Sequence, residues 1–272
     1  MFVYRGSTAL ITGASKGLGK TFAEALAARG MNLVLVARSG DTLQTLAEDL
    51  TARYGVQAVA LSVDLAHPDA ALHISEELER RGIQVDLLVN NAGLGLTGSF
   101  LSHDLKKKHA EIQVNVQVLV ALSHLLGIAM TKRGSGGIIN LASNASFQPL
   151  PYMATYAATK AFDTVLAEGL WHELASFGVD VLGVLAGVTR TPTGLAVSDK
   201  FRDAMDPAEV AAGALYHLGK GPSYVPGDAN RAVAKSLWPV PRVGIVNAMS
   251  QAGAELFDLP HAAVAGKEFH ES

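Results

Sequence analysis

T-A-L-I-T-G-A-S-K-G-L-G, residues 8–19, is a short apolar run that breaks at once into a glycine-rich turn. A continuous apolar run of this length has the character of a parallel strand buried on both faces. Gly13, Gly17 and Gly19 then permit a tight strand-to-helix turn, close approach of backbone to a phosphate, and close packing of the next helix on the sheet. Residues 20–29 are helical in pattern and stop at Gly30, so the amino terminus of that helix would aim free N–H groups at an anion. Such a turn also serves as a plain connection. Its place between a strand and a helix, at the head of an alternating chain, is what favours a nucleotide.

The next apolar run, M-N-L-V-L-V-A over 31–37, ends at Arg38. At this junction a dinucleotide-binding fold reads the adenosine ribose: an acid accepts from a 2′-hydroxyl, a cation accommodates a 2′-phosphate. The acid is missing, Ala37 and Arg38 stand in its place, and Lys16 supplies a second cation, so NADP(H) is expected over NAD(H). Alternation continues with a helix over 41–53, a strand over 58–63 closed by Asp64, a helix over about 68–81, and a strand over 86–90 closed by Asn91 and Gly93. A long helix over about 104–132, a strand ending at Ser143, a helix over 155–177 and a strand over 179–186 complete it. The pattern predicts an α/β fold, a doubly wound parallel sheet of Rossmann-like kind with helices on both faces. Within the long helix Asn115 sits among Val114, Val116 and Val118, a setting that gives its amide a buried polar task.

A second stretch carries chemistry. In S-N-A-S-F-Q-P-L-P-Y-M-A-T-Y-A-A-T-K, residues 143–160, a hydroxyl closes an apolar run and a proline-containing loop leads into an alanine-rich segment. If Thr155 caps that segment as a helix, Tyr156 and Lys160 are i and i+4 neighbours on one side of it. A free phenol, with a pKa of about 10, is a poor acid or base at neutral pH, and a nearby cation favours the phenolate. Ser143 at a strand's carboxyl end can donate to a carbonyl oxygen, so the three together can polarise and protonate a ketone. Alone, a Y-x-x-x-K pattern is more often an ordinary pair on a helix surface.

Composition narrows the alternatives. The chain has 272 residues, 49% hydrophobic and 17% charged, enough to bury a large core. A net charge of −3 leaves no basic excess to follow a nucleic acid. There is no cysteine, and the nine histidines form no H-x-x-x-H pair, so no metal is expected. No secretory signal is expected at the amino terminus, the run over 112–130 reads as too polar for a bilayer span, and the expected location is cytoplasmic.

Beyond Gly187 the alternation lapses. A proline- and glycine-containing segment over about 188–206 has the length of a substrate lid. A helix over 208–219 and a short strand over 223–226 follow, and then two helical pieces, 229–237 and 243–257, divided by Pro239 and Pro241. The expected division is a catalytic domain over 1–227 and a C-terminal helical extension over 228–272 packed on the same domain. Val233, Leu237, Val243, Val246, Met249 and Phe257 would supply the buried face of that extension.

Taken together these motifs resemble the short-chain dehydrogenase/reductase family. The resemblance spans roughly 7–191 and rests on the T-G-A-S-K-G-L-G turn, Asp64, N-N-A-G at 90–93, Asn115, Ser143 and Y-A-A-T-K at 156–160. It implies Tyr156 as acid/base, Lys160 as the cation that lowers its pKa and holds the nicotinamide ribose, Ser143 as the group orienting the carbonyl, and Asn115 as support for a water-mediated proton relay. It implies cofactor contacts from Gly13, Ser15, Lys16, Gly17, Leu18 and Gly19, from Arg38, and from Asp64 with Leu65 on the adenine side. Asn91, Ala92 and Gly93 would meet the adenosine ribose region, and Thr189 and Thr191 the nicotinamide carboxamide. Where the family has Pro-Gly after the sixth strand, this chain has Ala186-Gly187.

The expected function is an NADP(H)-dependent oxidoreductase, a carbonyl reductase or alcohol dehydrogenase acting on an apolar small molecule. Leu94, Leu96, Phe147, Leu150, Met153 and Leu195 are candidates to line its pocket. A catalytically silent cofactor-binding protein on the same fold is the alternative. The resemblance also implies a homo-oligomer joined through the two long helices, with Leu119, Leu122, Phe162, Val165 and Leu166 as candidate contacts.

Overall fold

The computed structural model describes residues 2–192, 204–236, 251–253 and 255. Among them seven parallel strands form one sheet in the order β3-β2-β1-β4-β5-β6-β7. The strands are β1 (Thr8–Thr12), β2 (Asn32–Ala37), β3 (Ala58–Ser62), β4 (Leu87–Asn90), β5 (Gly136–Ser143), β6 (Val179–Ala186) and β7 (Ser223–Tyr224). The helices between them are α1 (Gly17–Ala27), α2 (Gly40–Tyr54), α3 (Ala70–Arg80), α4 (Leu105–Ile112), α5 (Val118–Arg133), α6 (Ala154–Ala175), α7 (Pro207–His217) and α8 (Asp228–Ser236).

The helices cover the sheet on both faces. On one, Phe22 and Leu26 of α1, Leu43 and Leu50 of α2, and Val210 and Leu215 of α7 pack against Leu33, Leu35 and Leu182. On the other, Ile74 of α3, Val118 and Leu122 of α5 and Ala167 of α6 pack against Leu10, Val34, Leu88 and Val181. Alternate residues of one strand thus serve two cores, which is why the runs read as unbroken apolar sequence. The strand order reverses between β1 and β4, which pair directly, and this places the ligand crevice at their carboxyl ends.

Several sequence expectations shift. The long helix is interrupted by a wide π turn at Gln113–Gln117. Leu119 and Leu122 are not on an outward face: they are 5% and 0% exposed and belong to the core, while Val120 and Ile128 face out. The helical stretch Leu105–Arg133 is also apolar enough to suit a bilayer by composition, contrary to the sequence reading, but half of that apolar window is buried inside the fold. Thr155 does not cap α6. Tyr152, with φ 68°, turns the chain so that Met153 N–H reaches the Leu150 carbonyl, and Met153 becomes the N-cap residue, with no side-chain cap.

Much of the expected lid and of the C-terminal extension, including Leu195, Leu237, Val243, Val246, Met249 and Phe257, lies outside the described residues. What is described are the two ends of that first segment. Arg190 N–H donates to Met205 O at 2.9 Å and Met205 N–H to Val188 O at 3.1 Å, so the outgoing and returning strands are tied together. Asn230 of α8 braces those ends: its amide nitrogen lies 2.8 Å from Pro226 O and 2.9 Å from the Met205 sulfur. Its side chain also fills the space beside Gly187 where a Cβ would stand. Val233, expected to bury, stays exposed.

Candidate active site

The turn after β1 is a cradle. Gly13 has φ +67°, and a Cβ there would lie 2.9 Å from Asn91 Nδ2; one on Gly19 would lie 2.3 Å from the Gly13 carbonyl oxygen, so neither position accepts a side chain. Lys16 is the N-cap residue of α1 and no side chain caps that terminus, which leaves its N–H groups facing the crevice as an anion site. Ser15, Gly17 and Leu18 are half-buried around it and Lys16 is exposed. These features fit the pyrophosphate of a dinucleotide.

The turn is locked to the end of β4 from below. Thr12 Oγ1 accepts from the N–H groups of Asn91 and Ala92, both at 3.0 Å, and Asn91 Nδ2 donates to Thr12 O at 2.8 Å. The Asn91 side chain is therefore spent on the turn itself. Thr12 escaped the sequence reading because a threonine in a strand signals only β propensity.

Arg38 is exposed just past the end of β2, beside the exposed Lys16 turn on the neighbouring strand β1. No carboxylate stands between Ala37 and Gly40 to accept a ribose hydroxyl. Asp64 is exposed, with its carboxylate accepting from Ala66 N–H at 3.1 Å, while the Leu65 side chain is buried in the core. On the far side, Thr189 is buried with Oγ1 donating to Gly187 O at 3.0 Å. Thr191 packs over the start of α1, where a Cβ on Gly17 would come within 3.2 Å of it.

Ser143, Tyr156 and Lys160 gather at the carboxyl edge of β5. Ser143 closes that strand and its Oγ accepts from Ala145 N–H at 3.1 Å. Tyr156 is half-buried one helical turn before Lys160, whose Nζ lies 6.0 Å from the phenol ring centroid. Nζ is 5% exposed as part of its residue and donates to Leu141 O at 2.7 Å and to Asp163 Oδ2 at 2.9 Å. Burial works against the charge of Lys160, yet the Asp163 carboxylate and the Tyr156 oxygen beside it hold its pKa above the ordinary lysine value.

The strand of chain after β4 roofs this pair. A Cβ on Gly93 would sit 3.7 Å from Lys160 Nζ, and one on Gly95 would sit 3.4 Å from the Tyr156 ring. Asn115 holds that roof: its Oδ1 accepts from Leu94 N–H at 2.8 Å and its Nδ2 donates to Leu94 O at 2.9 Å and to Thr159 Oγ1 at 2.9 Å. Asn115 lies within the π turn and faces inward. One turn earlier the wholly buried Glu111 accepts from Leu96 N–H at 2.9 Å, and burial raises its pKa despite that bond and nearby Lys108. Two polar side chains of one helical stretch thus fix the loop that covers the tyrosine.

The expected pocket lining divides in two. Leu96 borders a cavity of about 20 Å³ shared with Tyr152, Lys108 and Glu111. Phe147 and Leu150 line a separate groove of about 420 Å³ beside Ala154, Ala157 and Ala161 of α6. Met153 lies against Gly95, next to Tyr156, and Leu94 is partly buried against the core.

Comparison with known proteins agrees with this geometry. The family model described as short chain dehydrogenase matches residues 7–200. The 7beta-hydroxysteroid dehydrogenase of Clostridium sardiniense is 32% identical over 236 residues, covering 85% of this chain and 89% of the relative. The very-long-chain 3-oxoacyl-CoA reductase of Phaeosphaeria nodorum is 37% identical over 188 residues, 65% of this chain, and there the chain spans about half, 53%, of the relative's length. Among solved structures, a short-chain dehydrogenase from Sphingobium yanoikuyae in complex with NADPH superposes with a TM-score of 0.75 at 31% identity, covering 97% of this chain and 100% of that one. With a glycine cradle at the β1/β4 switch, a tyrosine and lysine one turn apart on α6, and matches that run almost the length of the molecule, the chain belongs to the short-chain dehydrogenase/reductase family.

Proposed function

We propose that this oxidoreductase uses NADP(H) to interconvert a ketone or aldehyde and an alcohol on an apolar small molecule, with Tyr156 as the acid/base. The observation that carries the reading is the burial of the Lys160 ammonium beneath the Tyr156 ring, at the same sheet edge as Ser143. The bound nicotinamide supplies or takes the hydride. The chain's own residues do the rest. In the reducing direction Ser143 donates a hydrogen bond to the carbonyl oxygen, the Tyr156 hydroxyl gives that oxygen its proton, and Lys160 stabilises the phenolate left behind. In the oxidising direction the same phenolate takes the proton back. Asn115 keeps the 94–96 loop from drifting off the tyrosine.

The choice of NADP(H) rests on Arg38 and Lys16 and on the missing acid after β2. A marked preference for NADPH over NADH in kcat/KM is the expected result, and Arg38→Asp narrows or reverses it, since it removes a cation from the 2′-phosphate and offers an acceptor to a hydroxyl. Equal values for the two cofactors in the wild type would defeat the assignment. NADPH consumption with a panel of ketones and aldehydes separates the enzyme from a silent cofactor-binding protein, which would bind without turnover.

We further propose a homo-oligomer built on α5 and α6, now through Val120, Ile128, Phe162 and Val165, which are 38%, 42%, 41% and 69% exposed. Apolar residues this open on two long helices suit a covered face. Light scattering at micromolar concentration is expected to give a multiple of the chain mass, and Val165→Glu to reduce it. A wild-type monomer would dispose of the interface.

A further inference from the structure

Asp163 has no part in the motif that identified the site, yet it is the residue that holds the motif's lysine. It lies three residues after Lys160 on the same side of α6, is 0% exposed, and accepts from Nζ at 2.9 Å through Oδ2. Its other oxygen, Oδ1, is buried with no hydrogen-bond partner among the described residues. A fold selected for stability alone would fill this place with an apolar side chain, because removing both charges from water costs more than an imperfectly bonded pair returns. The arrangement therefore invites a reason outside stability.

The surroundings supply no other charge for the purpose. β5, the turn Asn144–Phe147 and the π turn Gln113–Gln117, all packed against α6, carry no titratable side chain. β6 carries Asp180, whose carboxylate lies beside Gly219, and β7 contributes Tyr224, whose ring stacks on His217. On α4, Glu111 is bonded to Leu96 and Lys108 lies over the Phe100 ring, while Lys106, Lys107 and His109 complete that helix. Within α6, Glu168, His172 and Glu173 lie at least two turns beyond Lys160. Lys160 is left with Asp163 and Tyr156 as the charged or ionisable groups acting on it.

We propose that Asp163 is a positioning residue: it keeps Lys160 protonated and directed toward Tyr156 in a place closed to water. The inference rests on the acid/base reading of Tyr156. Of the three N–H donors of the ammonium, one is taken by Leu141 O and one by Asp163, which leaves one for the side where Gly93 and Tyr156 lie. A charged Lys160 so fixed favours the phenolate; a neutral amine in the same place would not.

The test is an ultraviolet titration of the Tyr156 phenolate in the ligand-free full chain, isolated by subtracting the same titration of Tyr156→Phe. Asp163→Asn keeps an oxygen acceptor for Nζ and removes the charge, so the Tyr156 midpoint is expected to rise by about one unit or more. A residue that only supports the fold would lower the melting temperature and leave that midpoint in place. An unchanged midpoint, or one that falls because Lys160 stays charged without its partner, overturns the proposal. If the amide variant does not fold, nitrogen NMR of the wild type decides: the Lys160 signal, assigned by its loss in Lys160→Met, is expected to remain that of an ammonium through the ordinary lysine range. Conversion to the neutral amine below that range would overturn it. Since none of these readouts involves turnover, their failure is distinct from failure of the catalytic reading, which Tyr156→Phe kinetics judge separately.

Discussion

Tyr156→Phe is expected to lower kcat by roughly 10²- to 10⁴-fold, the range over which a positioned proton donor contributes to a rate. The substitution removes one oxygen from a half-buried ring and leaves the glycine cradle, Arg38 and Lys160 as they are. NADPH affinity, measured by fluorescence or calorimetry, should accordingly stay within about twofold of wild type, because the lost interaction is one made to the reacting oxygen. A Phe variant that turns over at the wild-type rate would remove Tyr156 from the mechanism. Lys160→Ala, by contrast, is expected to damage both turnover and cofactor binding.

The second large effect concerns stability. Lys160→Met leaves Asp163 wholly buried without its cation, a situation that costs about 3–5 kcal/mol. Adding Asp163→Leu removes the stranded charge, and the double variant should return to within about 2 kcal/mol of wild type or exceed it. The pH dependence has a definite sign. Burial already pushes the Asp163 carboxyl up against the opposing pull of Lys160, and removing the lysine leaves burial unopposed, so the folded single variant holds its proton to higher pH than the unfolded chain does. Its deficit is then small in acid, below the ordinary carboxylate range of about pH 4, and grows as pH rises through that range toward neutrality. Urea unfolding at acid and neutral pH reads this directly. A double variant no more stable than Lys160→Met would show that the pair is not what the single substitution breaks.

Much of the fold could be read because parallel strands covered on both faces leave unbroken apolar runs, as in residues 9–11, 33–36 and 87–89, and a helix pattern follows nearly every one. The site was legible for a related reason. Gly13 and Gly19 have no tolerated substitute in the turn, and an asparagine among valines announces a buried amide, as Asn115 proved to be at 1% exposure.

What could not be read has a physical cause in each case. α5 is apolar nearly all round, with Leu119, Val120, Leu122, Leu125 and Ile128 spread over its circumference, so no stripe marks the inward side. The π turn before it inserts an extra residue, which rotates everything downstream by about 100° against the register set by α4. Asp163 hid for a different reason: a lysine and an aspartate three apart on a helix form the usual pattern of a solvated pair, and only the packing of α6 against β5 and β6 reveals that this one is dry.

The junction after β6 has an implication for how such a chain can drift. Alanine at 186 leaves this junction without the constraint that a proline ring would impose on the backbone. Yet the space a side chain at 187 would need is occupied by Asn230, whose amide also grips Pro226 O and the Met205 sulfur at the neck of the 188–205 excursion. The constraint at this junction comes from a side chain of α8. A side chain at 187 would meet the Asn230 amide and turn it away, so the first cost of such a change falls on the bonds by which that amide holds Pro226 O and the Met205 sulfur.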